Sequence, residues 1–303
     1  MMKDIFLFVF IFFLVFISCS THLDDENTPV EVDVNDIILE DSGKEWLDNL
    51  CSDSFAGRKA GTVGNRLAFE FLCHEIEMMG YKPESQIFQT KKGSTIRNII
   101  VNISGESDSI VIVGAHFDGA HQSDDSECFQ AAEDNASGVV SLMMLLRHIQ
   151  MEPFVDGKKL ICCFWDCEER FEGNIYQGSN YFANHLADSI RPHILYYINL
   201  DNVGHDHGGK NEIYLDYNGS ELTKRIVENT AMNRRFRYFT SRRDTFTSDY
   251  ASFYNVGIPF ICYHDHDGSS CNHPNHSTMD TKDAISIKRL VKVAHNIIDQ
   301  ICF

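Results

Sequence analysis

The stretch SIVIVGAHFD, residues 109–118, decides how this chain is read. Residues 110–113 are apolar without a break, where a half-exposed strand would alternate. A short continuous apolar run closed by small and polar residues reads as a strand buried on both faces. It ends by delivering His116 and Asp118. The same pattern recurs downstream. Residues 160–165 run into Asp166-Cys167-Glu168-Glu169, and residues 195–200 end at Asp201. Residues 259–263 lead into a loop that carries His264, His266, His273 and His276. Between the first two strands, Glu133-Asp134-Asn135-Ala136-Ser137-Gly138 stands where a helix begins.

Two further strands are expected at residues 96–103 and 212–217. Residues 65–79 have helical periodicity, with Leu67, Phe71, Leu72, Ile76 and Met79 at mostly three- and four-residue steps and Gly80 as the stop. Further helices are expected at 136–149, 179–187, 221–232 and 283–301. Alternating strands and helices imply a single α/β domain with a central, mostly parallel (mixed) sheet flanked by helices on both faces. In such open sheets ligands bind beyond the carboxyl ends of the strands, which is where the imidazoles and carboxylates fall.

The composition fits this reading. The 303 residues are 43% hydrophobic and 23% charged, an ordinary globular balance that excludes collagen, coiled coil and wholesale disorder. A formal net charge of -18 repels phosphate backbones and argues against nucleic acid as a partner. Fourteen His beside 44 acidic residues direct attention to a metal site.

The first residues stand apart from the fold. Residues 5–17 are an unbroken apolar run behind Lys3, shorter than the roughly 20 residues that a spanning helix needs. With Ser18-Cys19 following, the leader resembles the signal of bacterial lipoproteins, in which the chain is cut before the Cys and the Cys carries the lipid. Residues 1–18 are thus expected as signal peptide, 19–40 as an acidic tether and 41–303 as the folded domain. The expectation is an exported lipoprotein anchored through Cys19, facing periplasm or cell exterior. Export permits disulfides. Among the 10 Cys, Cys262 and Cys271 are the best local pair. Cys162, Cys163 and Cys167 are expected as small buried hydrophobes.

Each acidic or imidazole feature has an ordinary explanation taken alone. A His-x-Asp is commonly a surface turn, a Glu-Glu pair a solvated loop, and an Asp before a helix an N-cap. Together, at successive strand ends, they make a cation site. Two divalent ions a few Å apart repel, so a carboxylate must bridge them, and Asp134 at a helix start suits that place. Asp118 can orient the His116 ring. Glu168 and Glu169, being adjacent, can divide the work of taking a proton and binding metal. Asp201 adds a charge, and a late His completes the second ion.

The ordered set resembles the co-catalytic zinc exopeptidases, a family that includes bacterial leucyl aminopeptidases, aminopeptidase Y and, more distantly, glutaminyl cyclases. The resemblance extends to Gly57-Arg58…Gly61 upstream. It also covers Ser248-Asp249…Phe253…Gly257-Ile258-Pro259, where Tyr250 replaces the family's usual His. It implies a zinc-exopeptidase-like fold with two zinc ions per chain. His116 and Asp201 would bind one ion, Glu169 and His276 the other, with Asp134 bridging. Glu168 would be the general base and Asp118 the residue orienting His116. His276 is chosen because His276-Ser277-Thr278-Met279-Asp280-Thr281 resembles the family's His-Thr-Pro-x-Asp-Thr, with His273 as the fallback. His264 and His266 stand nearer the strand end. The activity implied is removal of N-terminal residues from peptides. A single-zinc glutaminyl cyclase is the runner-up, and a non-catalytic zinc-holding surface protein is a third reading.

Overall fold

The computed structural model describes residues 33–120, 129–152, 157–206, 208–265 and 275–303. The leader, Cys19 and most of the expected tether therefore lie outside the described residues, as do His266, Cys271 and His273.

In chain order the strands are β1 (Glu84–Gln89), β2 (Thr95–Ile103), β3 (Ile110–His116), β4 (Lys159–Trp165), β5 (Ile194–Leu200), β6 (Glu212–Asn218), β7 (Arg237–Arg242) and β8 (Phe260–His264). They form one 8-stranded sheet in the order β1-β2-β4-β3-β5-β8-β6-β7. β4, β3, β5 and β8 run parallel at its centre. β2 joins β4 and β6 joins β8 antiparallel, so the flanks make the sheet mixed. β3 is buried from end to end, as its unbroken apolar run requires.

The helices are α1 (Val34–Leu50), α2 (Val63–Met78), α3 (Ser137–Met151), α4 (Gln177–Asn184), α5 (Glu221–Thr230), α6 (Tyr250–Asn255) and α7 (Ile287–Ile301). Strand residues alternate between two cores. Val111, Val113, Cys162 and Ile198 pack with Leu142 and Met143 of α3 and with Leu290 and Val293 of α7. Ile110, Ile112, Cys163 and Tyr197 pack on the other face with Phe182 of α4 and Phe253 of α6. Both faces being covered explains why the central strands carry no polar alternation.

The folded part begins earlier than expected. The expected tether runs through residue 40, yet α1 starts at Val34, capped by the Asp33 side chain on Asn35 N–H at 2.9 Å. Leu39, Gly43, Trp46, Leu47 and Leu50 form its buried face. Its exposed face mixes Asp41, Glu45 and Asp48 with Val34, Ile37 and Ile38, and that blurs the helical period. Gly43 lets α3 pack closely here: a Cβ would meet the Met144 methyl at 2.0 Å, and that flexible side chain would have to shift.

β1, β7 and α6 were also not anticipated. β1 and β7 are half-exposed edge strands of polar sequence, and α6 is too short for its period to register. Cys162, Cys163 and Cys167 are buried as expected. Cys262 is a free thiol within β8 among the described residues, and its expected partner Cys271 lies outside them. The Cys262 sulfur packs in the second core and accepts the Asn199 side-chain amide at 3.7 Å.

Candidate active site

His116 closes β3 and is 1% exposed. Its Nδ1 lies 3.1 Å from the main-chain oxygen of Asp118. A carbonyl only accepts, so Nδ1 carries a proton and Nε2 is the nitrogen that can offer a lone pair to a cation. Nε2 lies 3.2 Å from Asp134 Oδ1, 3.4 Å from Asp201 Oδ1 and 4.0 Å from Glu168 Oε2. Although buried, it has no hydrogen-bond partner. Burial favours a neutral His116 ring, but Glu168, Asp118, Asp134 and Asp201 together push its pKa well above the ordinary value.

Asp134 lies in an irregular segment before α3, with a cis peptide to Asn135. Its backbone is held from two sides. Asp280 accepts the N–H of Glu133 at 2.6 Å and of Asp134 at 3.2 Å. The Asn135 side chain donates to Leu200 O at 2.8 Å and accepts from Gly138 N–H at 3.0 Å and Asn202 N–H at 3.3 Å. Asn135 thus ties the start of α3 to the end of β5, where Asp201 stands. Gly138 permits the approach, since a Cβ would meet Leu200 O at 2.6 Å. Burial opposes ionisation of Asp134, yet His116 and His276 outweigh it and hold its carboxyl well below the usual range.

Glu168 and Glu169 follow β4. Their N–H groups donate to the Asp118 carboxylate at 3.0 and 3.1 Å. Asp118 therefore fixes the Glu-Glu turn as well as approaching His116 Nδ1, at 3.6 Å, and the orienting bond expected from its carboxylate comes from its carbonyl. His276 Nε2 lies 2.9 Å from Glu169 Oε1 and 3.1 Å from Asp134 Oδ2. Asp134 and Glu169 push the His276 pKa up to about 11. Burial raises Glu168 well above the carboxylate range, and Glu169, Asp201 and Asp249 add to the shift against the pull of His116. Burial and Asp134 raise Glu169 too.

The expected residues thus converge. His116, Asp134 and Asp201 form one set of atoms close enough to share a cation, and Asp134, Glu169 and His276 form a second. Asp134 belongs to both, one oxygen to each. An orphaned imidazole nitrogen and crowded carboxylates suit divalent cations, because such a cluster cannot be buried fully charged without countercharge. His264 does not join either set; it ends β8 and bonds Asp216 at 2.9 Å. A cavity of about 590 Å³ opens on the cluster, lined by Asp134, Glu168, Glu169, Asp201 and His276 among others.

Three supports were not legible beforehand. Arg58 is fully buried and donates to the carbonyls of Leu50 (2.6 Å), Phe117 (2.7 Å), Gln130 (3.0 Å) and Ala131 (2.7 Å). It clamps the exit of β3 and the approach to Asp134. Its signal was the Gly-Arg pair, which named the motif and not the task. Asp280 lay inside the quoted His276–Thr281 segment without a stated role. Asp216 pairs with Arg243 at 2.5 Å, and its only sign was a carboxylate inside an otherwise apolar-alternating strand.

The fold and the paired donor sets define a class: open α/β proteins whose parallel strand ends build a crevice able to hold two cations. The chain belongs to peptidase family M28, whose model matches residues 98–299. An aminopeptidase of Pseudomonas aeruginosa is 30% identical over 179 residues, covering 56% of this chain but only 31% of that protein. The chain thus matches about a third of that relative's length. A glutaminyl cyclase structure from Porphyromonas gingivalis superposes with a TM-score of 0.72 at 21% identity, covering 86% of this chain and 97% of that one. BSAP, a zinc aminopeptidase from Bacillus subtilis, gives a TM-score of 0.72 at 13% identity, covering 86% and 94%. Both likenesses concern the fold, and they bear out the zinc-exopeptidase-like architecture expected from the sequence.

Proposed function

We propose that this chain is a zinc-dependent aminopeptidase that removes N-terminal residues from peptides with two zinc ions. The observation that carries the reading is the sharing of Asp134 between the two donor sets. His116 and Asp201 would hold one ion and Glu169 and His276 the other, with Asp134 between them. When bound, zinc supplies Lewis-acid polarisation and a water of lowered pKa. Glu168 belongs to neither set yet faces the same cavity. Its burial-raised pKa suits a group that takes a proton from the attacking water and returns it to the leaving amine. The names of the Pseudomonas relative and the Bacillus neighbour support the same reading.

The likeness to a glutaminyl cyclase keeps a second reading in view. It would use a single zinc, so metal stoichiometry separates the two. Glu168→Gln tests the first. It should retain zinc while losing roughly 10²- to 10⁴-fold in turnover of aminoacyl-coumarins; near-normal turnover would reject the role. We also propose that Cys19 carries a membrane-anchoring lipid, on the leader sequence alone. Cys19→Ala should move the protein from the membrane to the soluble fraction, and unchanged membrane association would refute the anchor.

A further inference from the structure

The cavity that opens on the acidic cluster is lined also by Arg243 and His264. These come from the far side of the sheet, where β8, β6 and β7 lie next to one another. Asp216 of β6 organises them. Its Oδ2 accepts from Arg243 Nη1 at 2.5 Å and lies 2.9 Å from His264 Nε2, while its Oδ1 accepts the Ser241 hydroxyl at 2.5 Å. Arg243 Nη1 also lies 3.2 Å from His264 Nε2. The Arg243 main chain is fixed as well, its N–H to Tyr217 O at 3.0 Å and its carbonyl to the Asn218 amide at 2.5 Å. Both oxygens of Asp216 are thus engaged, and all of Arg243's side-chain contacts use Nη1. Nε and Nη2, with three N–H donors between them, make no further bond among the described residues.

A positioned guanidinium with donors in reserve is a carboxylate reader, because its fork matches the two carboxylate oxygens. An apolar side chain seated against it would cover those donors without replacing their water, a penalty that separates ligands strongly. Of the four carboxylates in the same cavity, Asp134, Glu169 and Asp201 would meanwhile hold the cations and Glu168 would serve as the base. The cavity therefore has an acidic part and a part with an available cation. We propose that Arg243, set by Asp216 and His264, makes this enzyme selective for substrates that bring a carboxylate into the cavity. That carboxylate is either the side chain of an N-terminal Glu or Asp, or the C-terminal carboxylate of a dipeptide. The inference rests on the aminopeptidase reading above and names its substrate class.

The test compares kcat/KM of the zinc-loaded chain on Glu-, Asp-, Leu- and Arg-aminomethylcoumarin, which carry no C-terminal carboxylate, and on Leu-Gly against Leu-Gly-amide. A preference for Glu or Asp over Leu of roughly 10-fold or more assigns the side-chain source, and the same preference for Leu-Gly over its amide assigns the C-terminal source. In Arg243→Gln the preferred ratio should collapse about tenfold, chiefly through KM, and Arg243→Lys should restore part of it. Ratios are read within one preparation, so a partly folded variant does not obscure them. Titration calorimetry in the Glu168→Gln background gives a readout independent of turnover: that chain should bind free glutamate or Leu-Gly more tightly than leucinamide, and the same chain with Arg243→Gln should not. Turnover of Leu or Arg substrates without any carboxylate preference, or equal losses on all substrates in Arg243→Gln, would overturn the selectivity and leave the aminopeptidase reading intact. Absence of turnover on every substrate by the zinc-loaded wild type would remove both.

Discussion

The carboxylate of Asp118 accepts the main-chain N–H of Glu168 at 3.0 Å, and through its second oxygen that of Glu169 at 3.1 Å. One side chain at the end of β3 thereby sets the turn at the end of β4, while its own carbonyl fixes the His116 ring. Asp118→Asn keeps a single acceptor and sets an amide against the other N–H. It should lower kcat/KM roughly 10- to 100-fold and weaken zinc binding by a similar factor. Steady-state kinetics with a competitive zinc titration checks this. Wild-type values for both would mean that Asp118 is incidental to the site.

The two donor sets make distinct predictions for metal content. Glu169→Ala or His276→Ala should leave one tightly held ion, and Asp201→Ala should leave the other. Asp134→Ala should weaken both, because one oxygen of Asp134 belongs to each set. Elemental analysis after dialysis reads the result directly. Loss of both ions in every variant, or of neither in Asp134→Ala, would contradict the shared carboxylate.

Arg58→Ala should cost about 3 kcal/mol or more of stability, since each buried carbonyl left without a donor forfeits roughly 1 kcal/mol. The carbonyls of Leu50, Phe117 and Gln130 depend on it, while that of Ala131 would keep the Ala136 N–H at 3.1 Å. In a domain of this size that corresponds to a melting temperature lower by roughly 6–10 °C. Calorimetry of the zinc-loaded protein is the measurement. A shift under a degree would show that water replaces the guanidinium without loss.

Stability should depend on pH differently with and without zinc. In the metal-free chain His276 titrates at about 11, above its ordinary 6.5, because Asp134 and Glu169 favour the imidazolium. His116 is raised as well. Groups whose folded pKa is raised contribute stability that is complete below the unfolded pKa and lost as pH rises towards the folded one. The chelated protein should therefore weaken steadily from about pH 6.5 upward. Zinc binding displaces those protons and tightens as they leave. The difference in melting temperature between zinc-loaded and chelated protein should grow from pH 6 to pH 9. A constant or shrinking difference would contradict the assignment of these imidazoles as ligands.

Much of this site could be read without coordinates, and the reason is physical. A strand buried on both faces is apolar over most of its length, so its end is marked by the polar residues that follow, among them His116, Glu168 and Asp201. Irregular segments leave no such mark. Asp280 reaches the backbone of Asp134 across 146 residues, and Arg58 clasps carbonyls from three separate segments. Neither contact has a local period. The first turns of α1 read as tether because exposed Val34, Ile37 and Ile38 blur its buried face, and the edge strands β1 and β7 leave no strand period because an edge tolerates polar residues on both sides. Arg243 and Asp216 belong to neither the cation cluster nor a motif, and only the pairing of neighbouring strands sets Asp216 beside Arg243 at the cavity edge.

Anomalous diffraction at the zinc edge, from crystals grown with excess zinc, tests the central claim most directly. Two peaks roughly 3.5–4 Å apart are expected, the separation of paired metals bridged by one carboxylate, with Asp134 between them, His116 and Asp201 on one peak and Glu169 and His276 on the other. A single peak in this crevice, or two peaks that do not share Asp134, would contradict the account.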